Sequence, residues 1–383
     1  MKIISIEPTP SPNVMKLNVD ESLPTGTSYN YSKEKKGEAP EHIQRLLSID
    51  GVTSVFQVLD FISLERHPKA DWQTVLSAAR EVLGEANDIN RGSGVSPTAE
   101  AVSDHSFSEV SVFIQKLKGI PMQVKLVKDG EEFRFGLPDR FKEAVMKAQA
   151  ATSNLILERK WEEQSPRYGE IQEVGEQVVE EIVAAYDEER LRLLVQRALE
   201  PEKVDMNQMK MSPQEVLQEL NHPEWERRYA ALEQFEPTFA SIEVLDKALH
   251  DSKPAIRRLA VVYLGFLEEK EALSYLIQAL KDESAIVRRT AGDCLSDKGD
   301  PDAIPAMCEA LKDKNKLVRW RAARFLYEVG DERAIPVLKE ATHDPEFEVK
   351  LQAKIALERI ERGEEASGTV WQQMTKRMEQ EKQ

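Results

Sequence analysis

The sequence predicts a multidomain protein with a small α+β head, an α+β middle domain and an all-α solenoid at the C-terminus. Three observations carry this reading. A unit of about 31 residues recurs from Leu249 onward, with Leu249, Leu280, Leu311 and Thr342 in one slot and Asp251, Asp282, Asp313 and Asp344 in another. Residues 85–105 (EANDINRGSGVSPTAEAVSDH) are small, polar and aperiodic, the composition of a flexible linker. On both sides of that stretch, short apolar runs of strand length alternate with helical periodicity.

The head spans residues 1–84. Ile4, Ile6 and the run Val14 to Val19 read as strands around a proline-rich turn, and residues 20–38 read as a polar loop. Ile43, Leu46 and Leu47 mark a helix that stops at Asp50-Gly51. Val52 to Val58 and Phe61 to Leu64 read as strands meeting at Leu59-Asp60. Asp71 is placed to N-cap a helix carrying Val75, Leu76, Ala79 and Leu83. The motifs EPTPSPNVMKLNV (7–19), IDGVTSVFQVLDFISLER (49–66) and DW (71–72), in that order, resemble the N-terminal domain of Nfu/NifU scaffold proteins. The resemblance implies a recognition role in iron–sulfur or thiol metabolism. In such scaffolds a C-x-x-C motif in a separate domain holds the cluster. This sequence has no C-x-x-C, so no cofactor and no metal ligand is expected.

The middle domain, residues 106–205, carries a hairpin from Met122–Val127 and Phe133–Phe135 around Asp129-Gly130, which supplies the positive φ of a tight turn. A helix from Asp139 to Ala150, a strand from Asn154 to Trp161 and one long charged helix over 170–200 follow. That helix places Ile171, Val174, Val178, Ile182 and Ala185 on one side.

Residues 212–362 hold the repeats. Ile256, Val287, Val318 and Val349 share a slot; Ala260, Ala291, Ala322 and Ala353 follow four residues later, then Leu264, Leu295, Leu326 and Leu357. Rows at i, i+4 and i+8 make one helix face, and a second apolar row marks a second helix in each unit. Neither helix buries its stripe alone, so neighbours must stack into a solenoid. The pattern resembles HEAT repeats of the phycobilin-lyase-like type. A worn copy begins at Leu220 and keeps Arg228, Ala231 and Phe235 in register. Residues 363–383 read as a polar tail. The whole arrangement resembles the conserved virulence factor C family of low-GC Gram-positive bacteria, which implies a regulator or accessory factor.

Several classes of chemistry are disfavoured. A net charge of −16 argues against nucleic acid as a partner. No apolar run is long enough for a membrane span, and the N-terminus lacks a signal-peptide layout, so a cytoplasmic location is expected. No Walker, G-x-S-x-G or G-x-G-x-x-G motif occurs. His42, His67, His105, His222, His250 and His343 are scattered without metal-ligand spacing. Cys294 and Cys308 fall in apolar core slots of the repeats, where a free thiol packs as a small hydrophobe.

The repeat aspartates Asp251, Asp282, Asp313 and Asp344 and the cations Arg228, Arg257, Arg288, Arg319 and Lys350 share one period. The expectation is a structural ladder, each Asp capping the next helix and each cation pairing with a neighbouring repeat's Asp, rather than an anion track. Trp225 and Trp320 break the repeat pattern. They are the proposed anchors for a partner, weighed behind plain local packing. The leading functional expectation is a non-catalytic cytosolic adaptor. Its HEAT surface would hold a protein partner, and its head would engage an iron–sulfur client or assembly protein or serve virulence regulation. The alternative is an iron–sulfur carrier or assembly accessory factor binding a cluster between subunits. A third reading, a lyase or ligand carrier, would need an apolar pocket.

Overall fold

The apolar alternation of the head closes into a five-stranded antiparallel sheet, ordered β1-β2-β5-β4-β3, in the computed structural model. The structure describes residues 1–9, 11, 13–24, 27–67, 70–84, 109–128, 131–152, 154–203 and 210–363. The strands are β1 (Ile3–Pro8), β2 (Val14–Val19), β3 (Ser28–Ser32), β4 (Val52–Val58) and β5 (Phe61–Arg66), with α1 (Glu41–Leu47) and α2 (Trp72–Leu83). Leu17, Val55, Ile62 and Leu64 meet Ile43, Leu46, Leu47 and Trp72 in one buried core. Each such aliphatic side chain contributes about 1.5–3 kcal/mol by leaving water. Asp71 caps α2, its carboxylate accepting from the Thr74 N–H at 2.7 Å. Residues 20–38 are not all loop. Ser28–Ser32 forms the edge strand β3, paired among the described residues only with β4. As an edge strand it carries Ser, Asn and Tyr rather than an apolar run, which hid it.

The chain divides into two compact units, residues 1–107 with 307–383, and residues 108–306. The linker segment 85–105 and the tail beyond Gly363 lie outside the described residues, as does the Asp129-Gly130 turn.

In the second unit, a four-stranded antiparallel sheet is ordered β8-β7-β6-β9. Its strands are β6 (Glu109–Leu117), β7 (Ile120–Lys128), β8 (Glu131–Gly136) and β9 (Lys160–Tyr168), with helices α3 (Asp139–Ala148), α4 (Leu155–Glu158), α5 (Ile171–Ala185) and α6 (Glu188–Leu199). The expected hairpin is β7–β8, in register from Gln123↔Gly136 to Lys128↔Glu131. Gly175 lets α5 approach the sheet, since a Cβ there would meet the Phe135 ring at 2.2 Å.

Two expectations for the middle domain are corrected. The strand expected over Asn154–Trp161 is instead the short α4 followed by β9, whose charged sequence KWEEQSPRY suits a largely exposed edge. The single long helix over 170–200 is two. The chain leaves helical geometry at Tyr186, and Asp187 starts α6 by accepting the Arg190 N–H at 2.7 Å.

The repeats are helix pairs. The second unit holds α7 (Pro213–Glu219), α8 (Trp225–Glu233), α9 (Ile242–Leu249), α10 (Pro254–Phe266), α11 (Ala272–Ala279) and α12 (Ala285–Lys298). After α13 (Ile304–Ala310), the first unit holds α14 (Lys316–Val329), α15 (Ile335–Ala341) and α16 (Phe347–Arg362). Ile256, Ala260, Leu264, Val287, Ala291 and Leu295 are all fully buried.

In the first unit the head packs against the last repeat. Phe347 and Leu351 of α16 lie on the head's core. Arg66 Nη2 donates to Glu348 Oε1 at 2.6 Å, and both side chains are buried. Arg66 also donates to the Ala70 carbonyl and lies 5.0 Å over the Trp72 ring.

A candidate functional site held by the repeat turns

Arginines in one repeat slot tie the turns with a recurring pattern of hydrogen bonds. Arg257 Nε and Nη2 fork onto the two carboxylate oxygens of Asp282 at 2.7 and 2.9 Å, while Nη1 takes the carbonyl of Asp251 at 2.8 Å. Arg228 forks onto Asp251 at 2.6 and 2.8 Å, and Arg319 onto Asp344 at 2.7 and 3.0 Å. Arg288 donates to the Asp282 carbonyl and Arg319 to the Asp313 carbonyl, at 2.8 and 2.9 Å. Each of Arg228, Arg257 and Arg319 thus binds two successive turns with planar, bidentate geometry. The slot ends in Lys350, and no repeat aspartate follows it among the described residues.

The aspartates do not cap the helices in the expected way. Their carboxylates accept from the backbone N–H two residues on, that of Lys253, Ser284, Asn315 or Glu346, at 2.7–2.9 Å. Those residues are the N-caps themselves, so the carboxylate fixes the turn before the helix, an Asx-type bond, and does not itself cap the first helical turn. Asn315 alone among these four caps its own helix with its side chain.

In the second unit, this turn geometry sets Lys253 and Ser284 at the mouth of a cleft of about 240 Å³. Its walls come from β9 (Arg167), α5 (Glu180, Glu181), α8 (Trp225) and the first turns of α10 and α12. At its base Arg167 holds Glu181 with two bonds of 3.1 and 2.6 Å. Arg258 and the Tyr229 hydroxyl each reach Glu181 Oε2 at 3.3 Å. Burial alone would push the Glu181 carboxyl up, but the charges of Arg258 and Arg167 overcome it and hold it below the ordinary 4.5. Burial draws the Arg258 guanidinium below its usual value, and the like charge of Arg167 adds to that. Burial also raises the Tyr229 phenol well above its ordinary value, keeping it a neutral donor.

The proposed anchors separate here. Trp225 is half-buried in the cleft wall, with Lys253 Nζ 4.1 Å over its ring and Tyr229 edge-on at 6.0 Å. Trp320 is 2 % exposed and packs with Val349 and Leu317, so it fills the helix-pair core and offers no surface. Sequence reasoning missed Tyr229 and Arg258. They share one repeat slot with Arg289, Trp320 and Leu351, and the changing residue type in that slot was the available signal.

The thiols do not fit an iron–sulfur centre. Cys294 lies against Gly265, where an added Cβ would meet its sulfur at 2.6 Å, and its Sγ faces the Val261 carbonyl at 3.6 Å. Burial pushes the Cys294 thiol up to about 12, and the Cys308 thiol is also raised. A buried neutral thiol is a poor cluster ligand. Iodoacetamide mass mapping of the native protein should therefore find Cys308 alkylated well ahead of Cys294. Equal rates at the two positions would contradict this placement. Among the described residues, no group of three or more His, Cys, Asp or Glu is arranged to hold a metal, and no helix is long and apolar enough to cross a membrane.

Comparison with known proteins agrees with the three-part reading. Residues 4–89 match the model of the scaffold protein Nfu/NifU N-terminal domain, 115–195 that of a family described as virulence factor, and 213–285 and 273–358 that of HEAT repeats. An uncharacterized protein of Bacillus subtilis, YpgR, is 54% identical over 98% of both chains. A Staphylococcus aureus relative called conserved virulence factor C is 49% identical over 98% of this chain and its whole length. The chain belongs to the conserved virulence factor C family. A solved Staphylococcus aureus protein, SAV1430, is 43% identical over 21% of this chain and 98% of that one, with a TM-score of 0.20. A regulatory or scaffold role is what the family name and its HEAT repeats support.

Proposed function

We propose that the protein is a non-catalytic scaffold that receives a protein partner at the cleft beside Trp225. The observation that supports it most is the way the repeat ladder is used. The polar side chains of successive turns are largely spent on one another, as in Arg228–Asp251 and Arg257–Asp282. What the turns leave open is the cleft, with a half-buried tryptophan and the uncapped starts of α10 and α12. An aromatic beside a shielded charge cluster is the make-up of a protein-binding hot spot. The head's likeness to Nfu/NifU scaffolds suggests that the client belongs to iron–sulfur metabolism, and the family name suggests a link to virulence regulation. The cluster-carrier alternative finds no support in the two thiols, and the ligand-carrier reading finds none in a cleft of this charge.

Photo-crosslinking tests the proposal. A benzophenone amino acid in place of Trp225 should give one discrete protein adduct. The same group in place of the exposed Phe266 should not. The adduct partner, purified, should bind the unmodified chain saturably. Identical adduct patterns at both positions, or none at either, would count against a scaffold that docks here.

A further inference from the structure

The cleft carries more positive than negative charge in a chain whose net charge is −16. Arg167, Arg258 and Lys253 line it against Glu180 and Glu181. Glu181 is already committed, held by Arg167 at 2.6 Å and reached by Arg258 and Tyr229 at 3.3 Å. One buried carboxylate therefore answers two largely buried guanidiniums, an imbalance that burial makes costly. Glu180 is exposed and only brushes Lys253, at 3.4 Å.

A separate observation has the same sign. The helices α10, of 13 residues, and α12, of 14, both begin in this cleft. Neither Lys253 nor Ser284 places a side chain on the first-turn N–H groups. The uncapped first turn of α12 carries the positive end of the helix dipole and orphan donors that favour an anion; α10 adds its dipole, but it begins with Pro254, which has no N–H, and its Ile256 N–H is taken by the Lys253 carbonyl at 3.0 Å. The cleft also has an apolar side, formed by Trp225 and by Ile286, which is 41% exposed. Its volume of about 240 Å³ falls below the roughly 300–1,000 Å³ of drug-sized ligand sites. It suits one or two side chains better than a whole cofactor.

We propose that this cleft recognises an acidic side chain of a protein partner, with an adjacent apolar residue of the same segment resting on Trp225 and Ile286. The inference rests on the scaffold reading above and adds the chemistry of the partner. The added carboxylate would balance the three cations of the cleft and supply the acceptor that the start of α12 lacks.

The test uses the full chain and a fluorescent hexapeptide of alternating Leu and Glu, with a Leu–Gln hexapeptide as control, read by anisotropy. The Glu peptide should bind at least about tenfold more tightly than the Gln peptide. Two variants probe the site without touching the Arg167–Glu181 pair. Lys253→Glu reverses a rim charge, and Ser284→Asp places a carboxylate of the chain's own on the first turn of α12. Both should weaken the Glu peptide by about tenfold or more, and Ser284→Asp should hold or raise the melting temperature, since Asp is a good N-cap. Equal affinity for the two peptides, no binding of either up to about 1 mM, or variants that bind as well as wild type would overturn the proposal. Displacement by inorganic phosphate at the same concentration as the peptide would also overturn it, in favour of a free-anion site. If the adduct at position 225 persists in both variants, the acidic specificity fails while the scaffold reading stands. Peptide binding without any adduct would leave the acidic cleft and remove the scaffold.

Discussion

Replacing Glu348 by alanine is expected to cost the first unit about 3–5 kcal/mol, the penalty of leaving a buried charge without its partner. Arg66 and Glu348 meet at 2.6 Å with side chains 2% and 5% exposed, so water cannot take the place of the lost carboxylate. Burial already lowers the Arg66 pKa, and the neighbouring Glu348 charge works against that. Without Glu348 the arginine must reach solvent, which means parting Phe347 and Leu351 from the head's core. Thermal unfolding of the full chain should show an early transition lying many degrees below that of the wild type. Glu348→Gln, which keeps the size and an acceptor oxygen, should fall between the two. Replacing both partners by leucine should recover much of the loss, because a buried ion pair is weak as a net stabiliser yet expensive to break. A Glu348→Ala protein melting within a degree or two of wild type would show that the head does not pack on α16 in this way.

Asp282→Ala is expected to cost the second unit about 2–4 kcal/mol. It removes the fork from Arg257, whose side chain is 6% exposed, and the acceptor for the Ser284 N–H. The turn that starts α12 loses its brace at the same step. Two effects therefore follow from one substitution: a lower melting temperature and a displaced cleft wall. Lys350→Ala should change stability by less than about 0.5 kcal/mol, since surface positions without such partners rarely matter more. If the two variants melt alike, the ladder is not what holds the turns.

The ladder's period was open to reading because it recurs in every copy, and so were the core rows Ile256/Val287 and Ala260/Ala291. What the period could not give was the role of each oxygen. The aspartate was expected at the helix start, yet its carboxylate serves the residue before the helix, a distinction of two backbone positions that spacing alone does not carry. Polar edge strands were hidden for a different reason. β3 and β9 have an exposed side, so their sequences lack the apolar alternation that identifies an inner strand.

The cleft and the head contact were hidden because they join residues far apart in the chain. Arg66 and Glu348 lie 282 positions apart, and no local pattern links them. The sequence nevertheless held a trace of both. Glu348 stands where the three preceding copies have Ala255, Ile286 and Leu317, and only the worn copy also has a glutamate there, Glu226. The slot of Tyr229, Arg258, Arg289, Trp320 and Leu351 changes residue type in nearly every copy while the slot just before it stays basic. The constant rows pack repeat against repeat. The changing row meets something different in different copies: Glu181 for Tyr229 and Arg258, Tyr168 for Arg289, and the head's core for Leu351.

Hydrogen exchange on the full chain, free and bound to the protein that crosslinks at position 225, tests the scaffold account most directly. It predicts slowed exchange in the first turns of α10 and α12, residues 253–258 and 284–289, and in α5 around Glu181. Protection confined to the head or to α15 and α16, with those turns exchanging as fast as in the free chain, would contradict it.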